Sequence, residues 1–347
     1  MRIMDATLFP YRLKLKQPWV TARGSIDHRE GWLVCVRGES GAAGWGDCAP
    51  LPDAGSENHD QCEQVLLDFV PRMRQHEATK LLEGVERLTP AARSGVETAL
   101  LDLQAREQGI SLADFISKQR RSTLRINAAC GQLNDSSAAC VTESVERGYD
   151  VVKLKVGLSS PEQEVQYLSR LVEQTVSGVR FRLDANGAWN MQQARDFIQA
   201  VKGLPVESLE EPLADPVSSR LETLQGLAPF PLALDESLGT DSSWLFMPSL
   251  PVKRVVLKPS VLGGPLLTMA WAEKAYAVGA EVVITSALES AVGVAMASQV
   301  AAALEHDAVH GLATGDWLES DVATVPRASA GTMAIVEGNG IGVNELV

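Results

Sequence analysis

From about Leu124 the chain alternates short β-branched apolar runs with stretches whose apolar residues recur at helical spacing. The runs are Leu124–Cys130, Asp150–Val156, Arg180–Asp184, Val206–Glu210, Pro231–Asp235, Arg254–Lys258, Glu281–Ser286 and Ala308–Leu312. They recur at roughly 22–30 residues, the length of one strand–helix unit in a parallel sheet. Eight such strands are what a closed (β/α) barrel requires. The alternative, an open doubly wound sheet, normally opens on a Gly-rich phosphate turn, and Cys130-Gly131-Gln132 is no such fingerprint.

The first third follows another grammar. Thr7 to Lys16 and Gly31 to Arg37 read as strands, and Gly38 to Gly46 contains a Gly-rich turn. After a loop at Pro50–Asn58, segments near Gln61–Arg74 and Pro90–Gln108 have helical spacing; in the second, Val96, Ala99, Leu100 and Leu103 fall at three- and four-residue steps. A small sheet followed by helices makes this an α+β unit.

Catalytic groups of a barrel sit at the C-terminal ends of its strands. Here the second to sixth strands finish in charge: Lys153-Leu-Lys155, Arg182-Leu-Asp184, Leu209-Glu210, Leu234-Asp235 and Leu257-Lys258. A single terminal charge only marks where a strand meets water; five in succession mark a site. Period-two alternation puts Lys153 and Lys155 on one face, and likewise Arg182 and Asp184, leaving Leu154 and Leu183 to face the helices. Asp184, Glu210 and Asp235 converge from neighbouring strands. Without a cation such carboxylates raise one another's pKa, and an all-oxygen set suits Mg²⁺ better than zinc. Lys155 and Lys258 approach from nearly opposite sides. A lysine beside a metal and a second lysine can lose its proton near neutral pH and act as a general base. A metal gripping a substrate carboxylate would stabilise the enediolate left when the neighbouring carbon loses a proton. The residues specify proton abstraction α to a carboxylate.

Composition narrows the class without changing that reading. The 347 residues are 45% apolar and 22% charged, an ordinary globular balance. With 31 basic and 44 acidic side chains the net charge is -13, which disfavours nucleic acid and anionic membranes as partners. Cys35, Cys48, Cys62, Cys130 and Cys140 are scattered, odd in number and without a Cys-x-x-Cys pair, so neither a disulfide framework nor a zinc knuckle is expected, and a reducing cytosol fits. Met1 to Val20 lacks the apolar core of a signal peptide, and the longest nearly apolar stretch, Ala291–Leu304, is too short to span a bilayer. A cytoplasmic location is the expectation. Composition says nothing of oligomeric state.

The set Lys-Leu-Lys (153–155), Leu-Asp-Ala-Asn (183–186), Glu-Glu-Pro (210–212), Leu-Asp-Glu-Ser (234–237) and Leu-Lys-Pro (257–259) resembles the enolase superfamily, muconate-lactonizing subgroup. Sites of that superfamily pair a Lys base with Mg²⁺. The resemblance covers nearly the whole chain. It implies an α/β fold: an N-terminal α+β capping domain (1–122), a modified (β/α) TIM-type barrel holding the active site (123–325), and a C-terminal tail returning to the cap (326–347). It further implies Asp184, Glu210 and Asp235 as metal ligands, the first Glu of the 210–211 pair being the ligand. Lys155 would be the base, Lys153 its support or that of the enolate, and Lys258 would lie across a bound small-molecule carboxylate. Asn186 and Glu236 would stand behind the ligands.

Within the superfamily, several features are similar to the o-succinylbenzoate synthases, dehydratases of the menaquinone pathway. They are Arg-Glu-Gly (29–31), Trp-Gly-Asp-Cys-Ala-Pro-Leu-Pro (45–52), Arg182 two residues before the first ligand, Leu-Lys-Pro, and Ser286 at the seventh strand. The resemblance makes Trp19–Asp27 and Pro50–Asn58 the cap loops over the pocket. Trp19 and Pro52 would be its apolar walls, Arg23 an anion contact, Arg182 a substrate contact, and Ser286 and Gly311 contacts for the succinyl carboxylate. The competing reading is an N-acylamino acid racemase or dipeptide epimerase using the same paired lysines. Dipeptide epimerases resemble one another in an Asp-x-Asp at the eighth strand; this chain has Gly311-Leu312-Ala313 there, and Glu319-x-Asp321 comes late enough to read as surface charge. A non-catalytic metabolite-binding barrel would not need every ligand and lysine. The five histidines offer no second metal site: His306 and His310 are four apart but run into a strand, and His28, His59 and His76 read as solvated.

Overall fold

The structure is a computed structural model that describes all residues except 22, 23, 177 and 345, so Arg23 lies outside the described residues. The N-terminal part is a three-stranded antiparallel sheet, β1 (Ile3–Thr21), β2 (Gly24–Gly38) and β3 (Ala43–Cys48). Helices α1 (His59–Phe69), α2 (Ala78–Gly84), α3 (Pro90–Glu107) and α4 (Leu112–Ile116) follow. α3 packs so closely on β3 that a Cβ on Gly46 would lie 1.8 Å from the Gly95 carbonyl oxygen. That contact requires glycine. The segment Gln61–Arg74 is helical only to Phe69 and tightens to a 3₁₀ turn over Val70–Met73, because Pro71 has no N–H to give. The described residues of Trp19–Asp27 are strand and not loop: β1 and β2 continue their pairing, with Trp19 opposite Ile26 and Thr21 opposite Gly24.

The remainder alternates strand and helix. β4 (Thr123–Ile126) and β5 (Ala128–Gln132) lead to α5 (Ser137–Glu146), β6 (Val151–Lys155), α6 (Pro161–Gln174), β7 (Arg180–Asp184) and α7 (Met191–Ala200). Next come β8 (Val206–Glu210), α8 (Ser218–Leu227), β9 (Leu232–Leu234), α9 (Glu236–Thr240), β10 (Arg254–Leu257), α10 (Pro259–Leu262) and α11 (Pro265–Ala277). β11 (Glu281–Ile284), α12 (Ala291–Ala302), β12 (Val309–His310) and β13 (Thr332–Ala334) end the series. The helices are locally encoded. α6 starts with Ser160 capping Gln163 N–H and Pro161 in the first turn, and α7 with an Asn190–Gln193 capping box.

β5 to β11 form one parallel sheet in sequential order. The eighth strand, β12, closes the barrel through Gly311 N–H to Ile284 O (2.9 Å) and Ser286 N–H to Gly311 O (3.0 Å) on one side. On the other it pairs with β4, and Asn127 N–H reaches His310 O at 2.9 Å. The first barrel strand is therefore not continuous over Leu124–Cys130. It breaks at Asn127, with β4 joining β12 and β13 in a separate sheet. Apolar side chains of the strands and of the helices around them form the main core, including Leu154, Leu183 and Leu257.

Cap and barrel are locked by polar groups. Arg29 donates to Leu288 O (3.2 Å), Pro50 O (2.9 Å) and Ala49 O (3.0 Å). Asp47 accepts from the Tyr11 hydroxyl (2.8 Å) and from Ser290 N–H and O–H (3.0 and 2.7 Å); burial pushes its pKa up to about 6. The Arg-Glu-Gly and Trp-Gly-Asp motifs thus place a fold-joining arginine and aspartate. The chain's end comes back to the cap, with Leu112 N–H on Gly340 O (2.7 Å) and Ile341 N–H on Asp102 (2.7 Å).

The cysteine expectation needs correction. Cys130 on β5 and Cys140 on α5 are joined in a disulfide, while Cys35, Cys48 and Cys62 are free and buried. The strand-to-helix turn brings Cα atoms ten residues apart to 5.7 Å, a proximity that spacing in the sequence does not reveal. Among the described residues no helix is long and apolar enough to cross a membrane.

Candidate active site

Strand register assembles the site. Lys155 pairs with Asp184, and Asp184 with Glu210, so three successive strands bring their last side chains abreast. Asp235 and Lys258 follow directly after β9 and β10, each as the residue that opens the next short helix. One carboxylate oxygen from each of Asp184, Glu210 and Asp235 lies within 4.8 Å of the others, and all three residues are buried.

The lysines are held differently. Lys153 lies 3.0 Å from Asp184 and donates to Glu210. Burial by itself would lower its pKa, but the carboxylates of Asp184, Glu210 and Asp235 outweigh that and hold the ammonium well above its ordinary range. Lys258 donates to Asp235 Oδ2 (2.7 Å) and Glu236 Oε1 (3.1 Å); Asp235 Oδ1, although 2.6 Å from the same nitrogen, is at the wrong angle to accept. These two carboxylates overcome burial and raise Lys258 likewise. Among the described residues Lys155 touches no carboxylate closely. It is 4.0 Å from Asp184, donates to Asn186 Oδ1 at 2.6 Å, and sits 5.7 Å from the centre of the Trp19 ring. Asn186 in turn donates to Glu236 at 3.2 Å. For Asp184, burial would raise the pKa, yet Lys153 and Lys155 prevail and depress it; for Asp235, burial and Glu236 raise it.

The donor set fits a hard divalent cation: three buried carboxylate oxygens, with no nitrogen or sulfur among them. Charge agrees. Asp184, Glu210, Asp235 and Glu236 face Lys153, Lys155 and Lys258, which leaves one negative charge in excess. A divalent ion would invert that to one positive, the charge that receives a carboxylate.

Above these groups lies a cavity of about 140 Å³. Trp19, Ile26, Leu51, Leu288 and Trp317 give it an apolar mouth, with Trp19 and Trp317 edge to face at 4.7 Å. Ser286 and Gly311 also line it, and so do Asn186 and Glu236, which the sequence placed behind the ligands. Pro52 does not; it is exposed at the start of a 3₁₀ turn whose neighbours Leu51, Asp53 and Ala54 do the lining. Arg182 does not either. It lies deeper in the barrel, 1% exposed, and each guanidinium nitrogen is engaged there, on Glu207 (3.1 and 3.3 Å), Asn127 (3.1 Å) and Val309 O (3.0 Å). Glu211 does not join the three ligand carboxylates; its own carboxylate accepts from the backbone N–H groups of Asp235 and Ser237.

Sequence reasoning missed Thr314 and Trp317, from the 3₁₀ segment Ala313–Trp317. Thr314 and Ser286 hydroxyls are 2.6 Å apart. An aromatic and a hydroxyl following the eighth strand were the available signal. Asp321 is also no free surface charge: it accepts from Ala291 N–H at 2.8 Å, capping α12, while Glu319 pairs with Lys14 at 2.8 Å.

Residues 136–345 match the family described as Enolase C-terminal domain-like, and residues 3–117 match Mandelate racemase / muconate lactonizing enzyme, N-terminal domain. The chain is 29% identical to the o-succinylbenzoate synthase of Escherichia coli O139:H28 over 96% of this chain and 97% of that one. It is 26% identical to the o-succinylbenzoate synthase of Desulfotalea psychrophila over 93% and 96%. Among solved structures, the L-Ala-D/L-Glu epimerase from Bacillus subtilis superposes with a TM-score of 0.91 at 22% identity, covering 100% of both chains. The N-succinyl Arg/Lys racemase from Bacillus cereus gives 0.90 at 18% identity, covering 99% and 96%. At these identities the structures speak for the fold alone.

Proposed function

We propose that this chain, which belongs to the enolase superfamily, is an o-succinylbenzoate synthase: a Mg²⁺-dependent lyase that dehydrates 2-succinyl-6-hydroxy-2,4-cyclohexadiene-1-carboxylate in menaquinone biosynthesis. The observation that carries the reading is the inequality of the two facing lysines. Lys258 is clamped by Asp235 and Glu236, whereas among the described residues Lys155 has only the Asn186 amide oxygen within hydrogen-bonding reach. One lysine is built as a fixed cation and the other as a group able to take a proton.

Dehydration asks for that division. Lys155 removes the proton next to the carboxylate, and its ammonium gives that proton to the hydroxyl departing from the neighbouring ring carbon, which leaves as water; the ring becomes aromatic, so no proton returns to carbon. Lys258 stays charged and offsets the negative charge that develops on the substrate carboxylate. Lys153 holds Asp184 and Glu210 in place. Asp184, Glu210 and Asp235 would hold Mg²⁺, which supplies positive charge to the substrate carboxylate. Ser286, Gly311 and Thr314 border the part of the cavity that would receive the succinyl end. The same reading divides the chain into cap (1–122), barrel (123–325) and tail (326–347), which the return contacts of Gly340 and Ile341 support.

A racemase is the second reading, since the similar folds include epimerases and racemases. Against a dipeptide epimerase stand Gly311-Leu312-Ala313 at the eighth strand and the engagement of Glu319 and Asp321 elsewhere. The test supplies the cyclohexadiene with Mg²⁺ and follows o-succinylbenzoate, beside solvent-deuterium exchange into N-acylamino acids and dipeptides. We expect succinylbenzoate and little exchange into dipeptides. Efficient exchange with no succinylbenzoate would overturn the proposal.

A further inference from the structure

We infer that Glu211 is a positioning residue that caps α9 in place of Asp235, leaving the Asp235 carboxylate free to ligate the cation. The inference rests on the proposed ligand set. Asp235 is the residue that opens α9, and aspartate at that position ordinarily turns its own carboxylate back onto an N–H of the first turn. Asp241 does so six residues later, accepting from Ser243 N–H at 2.9 Å. Asp235 makes no such bond. The first-turn amide it would take, Ser237 N–H, is given to Glu211 Oε1 at 2.9 Å. The same oxygen accepts Asp235 N–H at 2.7 Å, and Glu211 Oε2 accepts the Ser237 hydroxyl at 2.8 Å.

The placement is built in. Glu211 is 3% exposed and adopts φ 41, in the left-handed region that a glutamate occupies only under constraint. That twist separates the two adjacent glutamates, Glu210 toward the cation site and Glu211 across to the end of the next strand. Without Glu211, Ser237 N–H is a buried orphan within reach of Asp235, and capping then competes with ligation for one carboxylate. Partners behind a ligand typically contribute 10–100-fold to metal affinity.

The test titrates the full chain with Mg²⁺ alone in a calorimeter, with circular dichroism as the check on folding. We expect E211A to lower Mg²⁺ affinity about 10–100-fold. E211Q should lower it far less, because the amide oxygen still accepts both N–H groups. E211D keeps the charge but falls short of the amides, so it should resemble E211A and carries the test if E211A does not fold. The double variant E211A/D235N should bind no more weakly than D235N, since Glu211 works through Asp235; independent structural damage would add. Wild-type affinity in E211A or E211D, or additivity in the double variant, overturns the inference. E211Q as damaging as E211A would make Glu211 a ligand and overturn it too. Wild-type affinity in D235N would instead overturn the ligand set itself, which separates the two failures.

Discussion

The barrel carries two charged layers on the same strands, and they differ in completeness. In the deeper layer Arg182, Glu207, Arg254 and Glu281 form a chain of ion pairs, with Glu207 between the two arginines at 3.1 and 2.6 Å. Two positive groups meet two negative ones, and Asn127 and Val309 O take two further Arg182 donors. About 7 Å further along β7, two residues at strand rise, begins the upper layer. There three ammonium groups face four carboxylates beside a cavity. A balanced, closed network holds the barrel together. An unbalanced one opening on a cavity can exchange a partner for a cation or a substrate. The layers touch once, where Arg182 Nε lies 3.7 Å from Glu210.

The largest expected effect tests the upper layer alone. Lys155→Ala should lower turnover by at least about 10²–10⁴-fold, the usual contribution of a general base, while circular dichroism and Mg²⁺ titration stay close to wild type. Near-normal turnover in the folded variant would remove Lys155 from its proposed role.

Crossing the layers comes next. Glu210→Gln should weaken Mg²⁺ binding with little change in the melting temperature. Glu207→Gln should do the reverse, since removing one member of a buried ion pair costs about 3–5 kcal/mol. Arg254 keeps Glu281, so the low end of that range is expected. Calorimetry and a thermal melt on both variants decide it. If Glu207→Gln melts like wild type and loses Mg²⁺ as Glu210→Gln does, the two layers are one.

The smallest effect is in pH. Arg182 and Arg254 overcome burial and hold the Glu207 carboxyl below its ordinary 4.5. Its folded pKa is thus depressed, and its stability is present above about 4.5 and lost as pH falls. His310, whose Nδ1 accepts Ile284 N–H at 3.0 Å, is pushed from 6.5 down to about 3 by burial and by nearby Arg182. The unfolded chain takes that proton first, so stability also drains as pH falls from 6.5 towards 3. One such group changes stability by at most about 1.4 kcal/mol per pH unit. Urea unfolding at stepped pH should show the decline, and His310→Asn should flatten it between pH 6.5 and 4.5. An unchanged slope in that variant would mean His310 is not the group titrating.

Alternation along each strand sets which side chains share a face, and the chain's own order sets which strands are neighbours. Those two rules made Lys153, Lys155, Asp184, Glu210, Asp235 and Lys258 legible as one cluster, together with the parallel barrel that carries them. They give a face but not a depth. Arg182 shares the inner face with Asp184, yet one layer down it meets Glu207, which a bulge turns inward: Phe181 pairs with Val206 but Arg182 with Ser208. The break at Asn127, the Cys130–Cys140 bond, Asp321 capping α12 and Thr314 beside Ser286 likewise join residues whose separation in the chain bears no relation to their separation in space. Local periodicity therefore decided which residue types reach the mouth of the barrel. Only tertiary packing, which fixes long-range partners and burial, decided which of them were left with a valence to spare.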